Sequence, residues 1–365
     1  MSDPVQDVTV PQKPASDTHI VIVKLEAVHV DVPEIEEEFT GAFGLTHELI
    51  SYPFTSYLDK ELVVARIKHA SVVITTTVPI QEDLLAVAPN LKCVIGESTG
   101  TNHIDLEACK RRGVTVYNSP NATMEAVSEH ALAMYFTLRR RLLVLHNAMM
   151  QYTTGTPNSW RANGSMSGLL RDADDKPPRT CETEVAGILG SGPIGQRIAT
   201  LCGNLGMRVH ISARKTATTV PEGRTSFSEI MQTATVIFVV LPFTPETRST
   251  ISAAELQAMR PDAVVINVGR GGLVDEQALL DAVKERRIYG AATDVYEQEP
   301  AGSDADSVLL SRVVAEEGLN IVCTPHLAWC ADTTRKNIQK VVKQNLKEFL
   351  GGGVVNMVAE GRPGI

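Results

Sequence analysis

This 365-residue sequence predicts an α/β fold in two parts, each built on a parallel sheet. Three observations point there. Strand and helix signals alternate in two separate runs. In the second run, the strand-like VAGIL (185–189) leads straight into the glycine string GSGPIG (190–195). Near the ends of later strands in that run stand Arg270, Glu299 and His326. At roughly 100–200 residues per domain the length suits two domains, each able to bury a core.

In the first run, HIVIVK (19–24), SVVITTT (71–77), LKCVIG (91–96) and VTVYN (114–118) read as strands, with helices such as PEIEEEF and IDLEACKRR between them. This predicts a small parallel sheet. The preceding residues 1–18 are polar and proline-rich and predict a flexible tail. AVSEHALAMYFTL (126–138) reads as a helix whose end, Arg139 to Arg141, is expected to be solvated or domain-bridging. Residues 152–183, rich in Gly, Ser, Asp and Pro, predict a long loop.

The second run adds RVHIS (208–212), TVIFVVL (235–241), AVVINVG (263–269), IYGAATDV (288–295) and NIVCTP (320–325) to VAGIL. Six such strands with helices between them make a Rossmann-type, doubly wound domain. The chain closes with NIQKVVKQNLKEFLGGG (337–353), an amphipathic packing helix with a glycine stop.

Composition narrows the function. A formal net charge of −9 gives no electrostatic footprint for nucleic acid. The sequence lacks an apolar run that could span a membrane and an apolar signal region at its start, so a cytoplasmic protein is expected. Six cysteines without CxxC spacing predict reduced thiols rather than a disulfide framework, and no metal site is expected.

Doubly wound sheets bind ligands outside the carboxyl ends of their strands. Gly190–Gly195, Leu241 and Pro242, Arg270, Asp294 with Glu299, and His326 all fall at that edge. Within GSGPIG, Gly190 permits the tight turn, Gly192 lets backbone approach a pyrophosphate, and Gly195 lets helix pack closely on strand. The helix N-terminus then offers unpaired amides to phosphate. Taken singly, Arg270 reads as a turn residue, Glu299 as a solvated loop acid and His326 as a satisfied histidine at a strand end. Their placement together beside a nucleotide loop predicts a proton-handling site.

The segments STGTNHIDLEACKRRGVTVYNSP (98–120), AVSEHALAM (126–134), GILGSGPIGQRIA (187–199), LPFTPETR (241–248), INVGRGGLVDEQAL (266–279), DVYEQEP (294–300) and TPHLAW (324–329) occur in one order over roughly residues 70 to 350. In this the chain resembles the D-2-hydroxyacid dehydrogenase family, which includes D-lactate, glycerate, glyoxylate and hydroxypyruvate reductases. The resemblance implies a flavodoxin-like substrate domain from residues 19–122 and 329–357, and a cofactor domain, 123–328, inserted between them. It also implies an active cleft at their junction and a homodimer built through the cofactor domains. Residues 301–318 and the approach to the glycine loop are longer than the family pattern, and the weakly matching loop LISYP (49–53) suggests Tyr52 as a residue facing substrate.

A 2-oxo acid carries a carboxylate beside a carbonyl, and its reduction places a hydride on carbon and a proton on oxygen. The planar donor fork of Arg270 suits the carboxylate and can polarise the carbonyl. The resemblance assigns the amides of Ser98, Thr99 and Gly100 to the same carboxylate. His326 is the expected general acid in reduction and general base in oxidation, because imidazole as a class titrates near neutrality. Glu299 would orient that ring and favour its charged form. The family's formate dehydrogenases carry glutamine at that position, so a glutamate here implies proton transfer. Asp294 either meets the nicotinamide carboxamide or is structural. Trp329 either closes the pocket or stacks on substrate. Pro193, Ile194 and Val268 complete the cofactor contacts that the resemblance implies.

For the cofactor, the strand after the glycine loop should end in an acid for the adenine ribose hydroxyls. Here the family's aspartate position is Ala213, followed by Arg214, Lys215 and Thr216. Alanine removes both the acceptor and the repulsion against a 2′-phosphate, while the cations and hydroxyl can bind one. NADP(H) is expected over NAD(H), although Arg214 and Lys215 also read as a solvated loop pair. The expected reaction is reduction of a small 2-oxo acid such as glyoxylate or hydroxypyruvate. The alternative is a dinucleotide-sensing protein resembling the C-terminal-binding corepressors, which share the Arg, Glu and His set and a following tryptophan.

Overall fold

The computed structural model describes residues 9–32 and 34–361. The chain divides into two compact units, Met1–Thr123 with Cys330–Ile365, and Met124–Trp329. In chain order the strands are β1 His19–Lys24, β2 Thr46–Ser51, β3 Val72–Thr75, β4 Cys93–Gly96, β5 Thr115–Tyr117 and β6 Val185–Leu189. There follow β7 Arg208–Ile211, β8 Val236–Val239, β9 Val264–Asn267, β10 Gly290–Thr293, β11 Ile321–Cys323 and β12 Met357–Ala359.

In the first unit, β2, β1, β3, β4 and β5 lie side by side and parallel, and β12 adds to β5 antiparallel. The order second, first, third, fourth, fifth is that of flavodoxin-like sheets. β3 and β4 are buried at every position, as befits strands covered on both faces. The edge strand β2 (THELIS) alternates exposed and half-buried residues and was not expected as a strand. The helix Asp332–Gly351 buries Ile338, Val342, Leu346, Phe349 and Leu350 on one face, and ends where Gly352 takes a φ of +71°.

In the second unit, β7, β6, β8, β9, β10 and β11 form an all-parallel sheet. A single parallel bridge from Ser212 to Thr225 adds the rudiment of a strand outside β7. Counting it as third in sequence, the order becomes 3-2-1-4-5-6 plus one, the Rossmann arrangement. Ile188, Phe238 and Ile266 are fully buried in its core. Burying a large apolar side chain of this kind contributes roughly 1.5–3 kcal/mol.

Two expectations are corrected by packing. Arg139 is not a solvated helix end: only 2% of its side chain is exposed, and it pairs with Glu184 at 2.6 Å. Its Nη atoms also donate to the carbonyls of Asp262 and Thr235, both at 2.8 Å. Tyr52, in a stretch suggested to face substrate, is fully buried with the Arg66 guanidinium 3.9 Å from its ring centre. Its hydroxyl donates to the Thr9 carbonyl at 2.5 Å. Residues 1–8 of the expected tail lie outside the described residues, while Pro11 within it is buried.

The segment 152–183 contains a short helix, Ser159–Asn163, and two single 3₁₀ turns. It is tied down at Leu170, whose carbonyl accepts from the Tyr289 hydroxyl at 2.7 Å, and at Asp172, whose carbonyl accepts from Arg286 at 2.8 Å. No helix among the described residues is long and apolar enough to cross a membrane.

Candidate active site

Because all six strands of the second sheet are parallel, β6, β9, β10 and β11 deliver Gly190, Arg270, Asp294 with Glu299, and His326 to one edge. His326 sits three residues past β11 with a φ of +53°, a left-handed conformation uncommon for a residue with a side chain. The loop holds it there. Asp294, only 1% exposed, accepts from the Leu327 amide (3.0 Å), the Ala328 amide (2.9 Å) and the Thr324 hydroxyl (2.6 Å). The Asp294 carbonyl takes the His326 amide at 2.8 Å, and Trp329 Nε1 donates to the His326 carbonyl at 2.8 Å. Of the two roles open to Asp294, the structural one is therefore visible: its carboxylate organises the histidine loop. His130 Nε2, 3.1 Å from the Thr324 hydroxyl, extends this network and was not anticipated.

His326 Nδ1 lies 2.7 Å from Glu299 Oε2. An ionised carboxylate only accepts, so Nδ1 carries the proton and Nε2 is the nitrogen left to act on a ligand. The other oxygen of Glu299 accepts the Tyr296 amide at 2.9 Å, fixing the carboxylate. Burial would raise the Glu299 carboxyl. The hydrogen bond and charge of His326, the Tyr296 amide and the charge of Arg270 outweigh it and hold the group below the usual glutamate value. The side chains of His326 and Glu299 are 39% and 33% exposed, so the pair can exchange protons with what enters.

Arg270 follows β9 in a turn clamped by Asn267, whose side chain accepts the Gly269 amide (3.1 Å) and donates to the Arg270 carbonyl (3.0 Å). Gly271 is needed next to it, since a Cβ there would lie 1.7 Å from the Tyr296 carbonyl oxygen. Burial pulls the Arg270 pKa down from its ordinary value, the charge of Glu299 opposing, yet an arginine stays protonated. Among the described residues its guanidinium makes one hydrogen bond, from Nη1 to the Gly269 carbonyl at 2.8 Å. The rest of the donor fork is open to an anion.

The glycine loop fits the dinucleotide that the fold implies. A Cβ on Gly195 would lie 2.1 Å from the Gly190 carbonyl oxygen, so the helix Pro193–Asn204 meets the loop at backbone distance. A Cβ on Gly192, the helix N-cap, would meet nothing within 4 Å, which leaves open space where a phosphate would approach. The first helical bond runs from the Gln196 amide to the Gly192 carbonyl, so the Ile194 and Gly195 amides are not used by the helix. Val268 is buried, Leu241 is half-buried and Pro242 exposed beside this loop's strand ends.

Past β7, Ala213 is buried while Arg214, Lys215 and Thr216 are exposed. The structure separates the two cations. Lys215 Nζ pairs with Glu255 at 2.7 Å and donates to the Thr250 carbonyl at 3.0 Å, whereas Arg214 has no partner among the described residues. In the first unit, the Ser98–Gly100 loop is pinned by its oxygens. Ser98 and Thr99 carbonyls accept from the Ser119 amide (3.0 Å) and the Asn118 side chain (2.7 Å). Among the described residues no acceptor meets the amides of Ser98, Thr99 or Gly100. Beneath this loop lies an unanticipated buried pair, Lys24 with Glu97.

Known proteins share this chain's sequence pattern and fold. Residues 142–328 match the family model described as D-isomer specific 2-hydroxyacid dehydrogenase, NAD binding domain. A putative 2-hydroxyacid dehydrogenase of Haemophilus influenzae is 30% identical over 322 residues, 88% of this chain and 94% of that protein. Glycerate dehydrogenase of Methylorubrum extorquens is 30% identical over 318 residues, 87% and 93% of the two chains. The solved NADPH-dependent glyoxylate/hydroxypyruvate reductase of Sinorhizobium meliloti, in complex with NADP and malonate, superposes with a TM-score of 0.70 at 25% identity, covering 95% of this chain and 99% of that one. On these grounds the chain belongs to the D-isomer specific 2-hydroxyacid dehydrogenase family.

Proposed function

We propose that this family member reduces a small 2-oxo acid, such as glyoxylate or hydroxypyruvate, to its D-2-hydroxy acid with NADPH in preference to NADH. The observation that carries the reading is the His326–Glu299 pair, 2.7 Å apart and half open, on the sheet edge that also bears Arg270 and the glycine loop. The dinucleotide, when bound, supplies the hydride. Arg270 binds the substrate carboxylate and polarises the carbonyl. His326, doubly protonated with Nδ1–H on Glu299, donates the Nε2 proton to the carbonyl oxygen and is left neutral, its ring still held through Nδ1. The unengaged amides of Ser98, Thr99 and Gly100 suit a carboxylate as well. The NADPH preference rests on Ala213 in place of an acid, with Arg214 free beside it.

A homodimer through the cofactor domain is part of the proposal. The helix Leu142–Met150 (LLVLHNAMM) has no buried residue, and Leu142, Leu143 and Met150 are 48%, 47% and 57% exposed. A second copy would cover this face. Six free thiols accord with a cytoplasmic setting.

The test is nicotinamide absorbance with NADPH, then NADH, against glyoxylate, hydroxypyruvate, pyruvate, 2-oxoisocaproate and phenylpyruvate. NADPH-dependent turnover of a small acid is expected. Tight cofactor binding with no turnover on any acid would instead favour the corepressor-like alternative.

A further inference from the structure

Two cations follow Ala213, but the fold makes only one of them available. The Lys215 ammonium is occupied on three sides: by Glu255 Oε1 at 2.7 Å, by the Thr250 carbonyl at 3.0 Å and by the face of Phe227, whose ring centre lies 5.4 Å away. Glu255 is itself fixed. It is the third residue of the helix Ala253–Ala258 and closes the capping box with Ser252: its Oε2 accepts from the Ser252 amide (3.0 Å) and hydroxyl (2.6 Å). A carboxylate anchored at a helix start thus draws one cation of the 213–216 loop toward the Thr250 segment and leaves Arg214 exposed. Glu255 also stands as a negative charge beside that loop, opposing any phosphate that would recruit Lys215.

We propose that Glu255 is a specificity-determining residue for the cofactor: by holding Lys215 it leaves Arg214 as the single cation open to a 2′-phosphate, and loss of its charge would release Lys215 as a second. The inference rests on the reading that the 213–216 loop receives the 2′-phosphate of NADP. It predicts discrimination between NADPH and NADH weaker than two free cations would produce, with room to be strengthened by one substitution.

The test is direct binding, by calorimetry, of NADPH, NADH and 2′,5′-ADP to the full chain and to Glu255→Gln, Lys215→Gln, Arg214→Gln and Glu255→Gln/Lys215→Gln. Glutamine can still accept the Ser252 amide, and thermal melts check that each variant is folded. Glu255→Gln should raise the NADPH-to-NADH affinity ratio about tenfold, the value of one charge-assisted contact, and tighten 2′,5′-ADP likewise. Adding Lys215→Gln should cancel that gain, and Lys215→Gln alone should give no rise in the ratio, since only loss of the Glu255 charge frees a second cation. An unchanged ratio in Glu255→Gln, or a gain that survives the addition of Lys215→Gln, overturns the role of Glu255. If Arg214→Gln also leaves the ratio unchanged, the 2′-phosphate reading itself fails; if Arg214→Gln lowers it, only the Glu255 inference does.

Discussion

Two acid–base pairs occupy comparable places in the two units, each at the carboxyl ends of strands of a parallel sheet, yet their surroundings oppose each other. Lys24 and Glu97 have fully buried side chains, with the Thr76 hydroxyl donating to the same carboxylate at 2.8 Å. Burial pushes the Glu97 carboxyl up, and the Lys24 charge and hydrogen bond pull it back only in part. His326 and Glu299 remain 39% and 33% exposed, and the Glu299 carboxyl is held below its ordinary value. Exposure decides which pair can do chemistry: a proton can leave the second pair toward a ligand, whereas the first is sealed and serves the fold. Glu97 is nonetheless the residue before Ser98, so the sealed pair also anchors the loop proposed for substrate.

The largest way to break the comparison is at the open pair. His326→Ala should slow reductive turnover by roughly 10² to 10⁴-fold while leaving thermal stability close to the parent, because the ring contributes a proton rather than packing. Stopped-flow reduction and a melting curve together check this. Near-parental turnover would remove His326 from the mechanism.

The sealed pair should respond in the opposite way. Glu97→Ala strands the Lys24 ammonium in the interior and should cost about 3–5 kcal/mol of unfolding free energy, whereas Lys24→Met/Glu97→Leu should recover most of that loss. Urea denaturation of the three proteins decides. Equal loss in the double variant would mean that shape, and not charge, is what the pair supplies.

The smallest effect sharpens the contrast through pH. The Glu299 carboxyl is held below the ordinary glutamate value of 4.5, so its ionised form stabilises the folded state above that value, and the contribution is lost as pH falls through the lower folded-state pKa. The stability gap between the parent and Glu299→Gln should therefore be steady at neutral pH and shrink below about 4.5. Urea melts between pH 3 and 7 test the sign. A gap that widened on acidification would mean that Glu299 is not held ionised by its neighbours.

Much of this was legible in the chain because its signals are local. Buried parallel strands are uninterrupted apolar runs such as VAGIL and VVIN, and a glycine turn is a spacing of three residues within six. The edge strand THELIS was missed because one of its faces is solvated and its polar residues resemble a loop. The three-residue β12 is too short to carry a pattern.

By itself, the sequence determined the order of the buried parallel strands, the glycine loop and the identities of Arg270, Glu299 and His326, since each depends on neighbours within a few residues. Tertiary structure alone decided the state of the charges. It buried Arg139 on Glu184, sealed Lys24 on Glu97, spent both oxygens of Asp294 on the histidine loop and turned Lys215 onto Glu255. These partners lie tens of residues apart in the chain. Whether a charge is paired, desolvated or free depends on what the fold brings within a few ångströms, because Coulomb interactions and desolvation act through space and carry no trace in local spacing.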